Sequence, residues 1–309
     1  MSGIATEVSR PSDVGPLMRQ ATYASTVVAC VLICAKTYAW VGTDSVAMLS
    51  SLVDSLLDVV ASLLNLFAVR HALQPADREH RFGHGKAESL AGLAQAAFIA
   101  GSAAFLLLEA ATRLLHPQNV SQSRIGIAVM LGSIVLTAAL VAFQRYVVRR
   151  SQSVAIGADL LHYVSDLMTN LAVIVALVLS AGYGWWWADP VLAGAIGLYI
   201  LFGAWRIFRE AFDHLMDREF PDDERDRIRA IVLRHTKVRA LHDLRTRSSG
   251  VRSFLQMHLE LDGDISLSEA HRISDEVEEA LLAAFPGAEI IVHQDPAGLE
   301  ESRPRFATS

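Results

Sequence analysis

Cysteine is nearly absent: Cys30 and Cys34, four residues apart in one apolar stretch, are the only two in 309 residues. A thiolate metal centre needs more ligands than that, and a helical i,i+4 pair is poorly placed for a disulfide, so both read as small apolar fillers. Charge is also scarce, at 19% Asp, Glu, Lys and Arg, where a soluble protein carries about a quarter. The net charge of -6 is modest and no basic stripe interleaved with aromatics occurs, which argues against nucleic acid as a partner. The opening MSGIATEVSRPSDVGP has no apolar core followed by a small-residue cleavage site, so it does not read as a secretory signal. No His-Glu-x-x-His, Gly-x-Ser-x-Gly or Walker sequence is present, so an enzyme is not expected.

What the chain has in abundance is apolar length. It is 52% hydrophobic, with a mean hydropathy of +0.33. Six hydrophobic segments run at roughly 19–41, 46–70, 87–114, 124–146, 154–181 and 187–210, each long enough to cross a hydrocarbon core. Arg10, Arg19, Arg70, Arg78, Arg81, Lys86, Arg145, Arg149 and Arg150 fall on one side of the alternation, and only Arg113 and Arg124 on the other. The positive-inside rule therefore puts both termini in the cytoplasm. Trp185, Trp186 and Trp187 suit an interfacial aromatic belt beside the last external turn.

From about residue 212 the composition turns charged and amphipathic. Pro221 to His235 reads as a helix, 241–247 and 251–261 as a hairpin, 266–285 as a second helix and 288–293 as a last strand. In the second strand Leu255, Met257, Leu259 and Leu261 form a core face, leaving Phe254, Gln256, His258 and Glu260 on the other. The expected organisation is a cytoplasmic tail 1–18, an all-α six-helix transmembrane domain 19–211, a small cytoplasmic α+β domain (α-ββαβ) 212–296, and a disordered tail 297–309.

Three groups of residues carry chemistry. Asp54 and Asp58 on the second segment, and His162 and Asp166 on the fifth, are two i,i+4 pairs, each projecting from one helix face. Ionisable groups inside a membrane are costly and need a partner or a purpose. Three carboxylates and an imidazole suit zinc and tolerate iron(II), cadmium, cobalt or manganese, with magnesium and calcium less favoured. The empty site would hold -3 and the loaded one about -1, so metal entry is expected to expel protons. The other use of such residues is hydrogen bonding between helices. The second group, Asp77, His80 and His84, lies on an internal loop where Gly83 and Gly85 let the backbone turn back; a solvated loop is the alternative. The stretch Gly-His-Gly-Lys there lacks the first glycine and the Ser/Thr of a phosphate loop. The third, His242, His258, His271 and His293 with Gln294 and Asp295, suggests more than one metal in the tail domain.

These residues resemble the cation diffusion facilitator family, in its bacterial zinc/ferrous-iron efflux branch. The resemblance rests on Leu-Val-Asp-Ser-Leu-Leu-Asp at 52–58, Phe-Gly-His-Gly-Lys-Ala-Glu-Ser at 82–89, Leu-His-Tyr-Val-Ser-Asp at 161–166, and His-Asp-Leu-Arg-Thr-Arg at 242–247. It implies six transmembrane helices in the bacterial inner membrane, a metallochaperone-like cytoplasmic domain, a homodimer, and exchange of a cytoplasmic divalent metal for external protons. By the same resemblance Asp54, Asp58, His162 and Asp166 are the transport site, and Asp77, His80 and His84 a loop site. His242, His258, His271, His293 and Asp295 match a binuclear cytoplasmic site, with Gln294 beside it, and Lys86 and Asp217 a charge interlock at the dimer. A membrane metal sensor and a passive metal channel are the competing readings, and the residues do not choose between zinc, iron(II) and cadmium.

Overall fold

The computed structural model describes residues 11–43, 46–116, 124–185, 187–250 and 252–298. The expectations for the first ten residues, for Asp44, for Pro117-Gln118-Asn119, for Trp186 and for the tail from 299 lie outside these. The chain divides into two compact units, one of residues 12–216 and one containing residues 217–309.

The first unit is helical: α1 (Pro11–Thr43), α2 (Val46–Ala72), α3 (Lys86–Leu115), α4 (Arg124–Ser151), α5 (Val154–Tyr183) and α6 (Ala188–Leu215). Among the described residues five stretches are long and apolar enough to cross a membrane: Val14–Gly42, Asp54–Ala72, Lys86–Leu115, Ala128–Ser151 and Ala188–Leu215. The remaining helix, α5, carries Asp159, His162 and Asp166. Outward faces are apolar, with Val27, Leu64, Phe67, Phe105, Val135 and Phe202 exposed, as hydrocarbon solvent would favour. Cys30 and Cys34 are free and exposed on α1.

Small residues decide how these helices pack. Ala96, Ala103 and Ala110 on α3 and Gly197, Ala204 and Ala211 on α6 are buried at steps of seven, and α3 and α6 pack together along them. Close backbone approach through small side chains is how helices associate where no hydrophobic drive exists between them. Ile99, Ala103, Ile196, Ile200 and Ala204 form one core cluster, against which Leu161, Met168 and Ala172 of α5 pack. Arg113 closes the same pair near its end, donating to Glu109 and to Asp189, each at 2.9 Å. The α4–α5 link is tight: Gln152 takes φ +53, and the Ser153 hydroxyl accepts from Ile156 N–H at 3.2 Å, capping α5. At the end of α5 the Tyr183 ring lies tilted 5.7 Å from that of Trp185, which stacks on Trp187 at 5.2 Å.

The second unit contains α7 (Asp222–Val232), β1 (Ala240–Ser248), β2 (Ser253–Leu261), α8 (Leu267–Ala284) and β3 (Glu289–Pro296). The sheet order is β1-β2-β3, β1 antiparallel and β3 parallel to the central β2. Ser266 caps α8 by accepting from Glu269 N–H at 3.2 Å, the Ser-x-x-Glu arrangement of a capping box. Leu255, Met257, Leu259 and Leu261 face a core completed by Ile228, Val232, Ile273, Val277 and Leu281. Phe254 departs from the expected alternation, since it is buried too, with the Arg247 guanidinium 4.4 Å above its ring. The helix expected to 235 stops at Val232, where the chain turns and His235 reaches Glu276 of α8 at 2.8 Å.

Candidate metal centres

The helical unit brings Asp58 of α2 together with His162 and Asp166 of α5: one ligand atom from each lies within 4.8 Å of the others. His162 Nε2 is hydrogen-bonded to Asp58 Oδ1 at 2.9 Å and stands 3.7 Å from Asp166 Oδ2. Asp54 is not part of this group, and its side chain is exposed. Behind the cluster, Tyr163 donates to the Ser25 carbonyl at 3.2 Å and meets the Ser62 hydroxyl at 2.9 Å, which ties α5 to α1 and α2. Composition did not single out Lys36 of α1, which donates to Ser55 of α2 at 2.6 Å.

On the loop, Asp77, His80 and His84 likewise offer mutually close ligand atoms. Asp77 Oδ1 accepts from the backbone N–H of His80 at 2.6 Å and of Glu79 at 2.9 Å. The His80 amide, foremost, holds the Asp77 carboxyl below its usual range. Asp77 Oδ2 then faces His84 Nε2 at 3.2 Å. The reversal that brings His84 back depends on Gly83, whose φ of +80 only glycine adopts without strain. Lys86 follows, its ammonium donating to the Leu215 carbonyl at 3.4 Å.

The sheet assembles the third group. His242, His258 and His293 are consecutive partners across β1, β2 and β3, so their side chains form a row. Asp295, nearly fully buried, is hydrogen-bonded to His258 Nδ1 at 2.8 Å and has His242 Nε2 at 3.1 Å and His293 Nε2 at 3.0 Å beside it. Burial would raise its pKa, but the His258 hydrogen bond and the charges of His258, His293 and His242 outweigh it and hold the carboxyl below its usual range. Both ring nitrogens of His242 lie close to carboxylates, 3.2 Å from Glu260 and 3.1 Å from Asp295, at angles that make no hydrogen bond. Glu260 and Asp243, whose Oδ2 is 3.8 Å from His258 Nε2, are carboxylates that sequence reasoning missed. Glu260 was within reach, being two residues from His258 on one strand face. Asp243 was not, because a register shift and a φ of +48 turn it toward the site. Gln294 points the other way and donates to Ser274 of α8 at 2.8 Å. His271 stands exposed on α8, 3.6 Å from Asp275 and outside the group. Asp217 pairs with Arg247 at 3.4 Å.

Residues 22–216 match the cation efflux transmembrane domain and residues 220–297 the cytoplasmic domain of cation efflux proteins. The chain belongs to the cation efflux family. It is 51% identical to the cation-efflux pump FieF of Klebsiella pneumoniae subsp. pneumoniae, over 92% of this chain and 95% of the relative. It is 50% identical to that of Cronobacter sakazakii, over 95% and 97%. Among solved structures, the metal-bound C-terminal domain of the CzcD transporter from Thermotoga maritima aligns at 29% identity with a TM-score of 0.25, covering 26% of this chain and 93% of that one. This cation efflux protein is thus a multi-pass membrane transporter with a helical membrane domain and a small α+β domain, and its family and relatives are transporters, not enzymes.

Proposed function

We propose that this cation efflux protein exports zinc, and also iron(II) or cadmium, from the cytoplasm in exchange for protons, by alternating access. The observation that carries the reading is the convergence of Asp58, His162 and Asp166 from two helices of the membrane domain. The existing His162–Asp58 hydrogen bond supplies a proton-coupling step. A proton on His162 Nε2 occupies the lone pair that a metal ion needs, so loading from the cytoplasm must expel it. Protonation from the outside restores the bond and releases the ion outward. Asp54, one turn from Asp58, joins as the fourth ligand when the helices rock. Exposing one site to each side in turn is the usual solution in transporters.

In this reading residues 19–211 make six crossings of the inner membrane, and both termini are cytoplasmic. Residues 212–296, an α-ββαβ domain, bind two metal ions through His242, His258, His271, His293 and Asp295, and join two copies in a homodimer. Lys86 and Asp217 interlock near the membrane. Asp77, His80 and His84 hold a further ion. Metal in the tail favours one dimer arrangement, as coupling requires.

The deciding experiment is metal-coupled proton flux in proteoliposomes. Asp58→Ala and Asp166→Ala should each reduce both fluxes to the level of protein-free vesicles while the protein remains folded. Zinc uptake that survives either change removes the site; uptake that ignores an imposed pH gradient makes the protein a channel; no uptake at all leaves a sensor.

A further inference from the structure

We propose that His71, at the end of α2, is a fourth ligand of the loop site and closes its coordination sphere around a divalent transition-metal ion. The inference rests on the reading that Asp77, His80 and His84 bind metal. His71 occupies the last turn of α2, and its carbonyl accepts from Gln74 N–H at 3.0 Å as the chain leaves the helix. The loop then returns so that the His84 ring stands between two other imidazoles. Its centroid is 4.5 Å from that of His71, at an interplanar angle of 66°, and 4.6 Å from that of His80, at 47°. Imidazoles sharing one tetrahedral ion at zinc–nitrogen distances hold their ring centres about 5 Å apart. His71 therefore has the same relation to His84 as His80, whose place in the group is set by its ligand atoms.

A second observation points to a missing group. His84 is buried, and its Nδ1 has no hydrogen-bond partner. Buried nitrogens are rarely left so, and a metal ion that rearranges the three rings would engage this one or reorient it. His71 stands outside the set of mutually close ligand atoms and is exposed, so recruiting it requires its side chain to rotate.

The fourth ligand changes what the loop site does. Three protein ligands leave a position open for exchange, whereas four make a closed site that keeps its ion. Three imidazoles and one carboxylate also select zinc and its transition-metal neighbours over magnesium and calcium. The ion would then be a resident clasp between the end of α2 and the start of α3.

An edge-to-face ring contact is the competing explanation, and His71→Phe separates the two, since it keeps the ring and removes the nitrogens. The test uses full-length protein in detergent carrying Asp58→Asn, Asp166→Asn, His242→Ala and His258→Ala, so that cobalt(II) reports the loop. The background protein should bind cobalt with the intense visible band of four-coordination. His71→Phe should lose that band and weaken binding tenfold or more, as His80→Ala does. Unchanged band and affinity in His71→Phe, with loss in His80→Ala, overturn the role of His71 alone. No cobalt bound by the background protein, or binding that ignores His80→Ala, overturns the loop reading and this inference with it.

Discussion

Asp58 and Asp54 are alike in the sequence and differ in the fold. Four residues advance a helix by about 6 Å and rotate it by about 40°, so one member of an i,i+4 pair can meet a neighbouring helix while the other does not. The pairing of His162 with Asp58 was legible because ionisable residues in an apolar run must find each other. Which carboxylate it meets depends on how α2 and α5 pack, and the sequence does not contain that. Asp159 shows the same limit: it reads as one more polar residue in α5 yet is buried, with Gln144 Nε2 donating to its Oδ2 at 2.6 Å and Oδ1 unpartnered. Gln144→Leu removes that donor from a buried carboxyl, a loss of about 1–3 kcal/mol. Purified Gln144→Leu protein should therefore melt several degrees below the wild type in detergent. An unchanged melting temperature means that Gln144 does not hold Asp159.

At the level of elements, most boundaries followed from hydropathy and caps to within about three residues, but α1 begins at Pro11 instead of 19, α4 and α6 run on to Ser151 and Leu215, and the partners did not follow at all. The seven-residue steps of Ala96, Ala103 and Ala110 and of Gly197, Ala204 and Ala211 are present in the sequence, yet other alanine spacings surround them. Only packing picks out the row that meets another helix. In β3 the strand continues to Pro296, and alternation then separates Gln294, on the α8 side, from His293 and Asp295 on the metal side. The spacing of two puts His293 and Asp295 on one face if the strand continues past 293, and it does. The small-residue seam leaves no room: a Cβ on Gly197 would lie 2.9 Å from the Leu107 side chain. Ala204→Leu inserts three carbons where 1% of the residue is exposed, an overpacking cost of about 1–3 kcal/mol. Its melting temperature should fall and its transport with it, whereas Leu198→Ala, on the exposed face of α6, should change stability by no more than about 0.5 kcal/mol. Equal effects from the two would show that the seam is not where α3 and α6 hold each other.

For the whole molecule, metal release and unfolding are separable by pH. The second unit is held at its surface by carboxylates whose pKa is depressed: Glu269, lowered to about 2 by Arg272 and then Lys237; Glu276, lowered foremost by His235; and Asp262, lowered foremost by Arg239. A carboxyl depressed on folding stabilises the protein above its unfolded pKa and loses that contribution as pH falls through the folded value. For Glu269 the window runs from 4.5 down to about 2, so at pH 5.5 its contribution is intact. Histidine ligands behave otherwise, since protons compete with metal for the same ring nitrogens. Lowering pH from 7.5 to 5.5 should therefore strip zinc from the His242, His258 and Asp295 group while the sheet and both of its helices persist. Equilibrium dialysis of zinc beside far-ultraviolet circular dichroism, on the fragment 212–309, reads the two together. Zinc loss between pH 7.5 and 5.5 with an unchanged spectrum is the expected result. If both signals move together over that range, metal is what folds the domain, and its ligands would then be structural instead of a sensor of cytoplasmic metal.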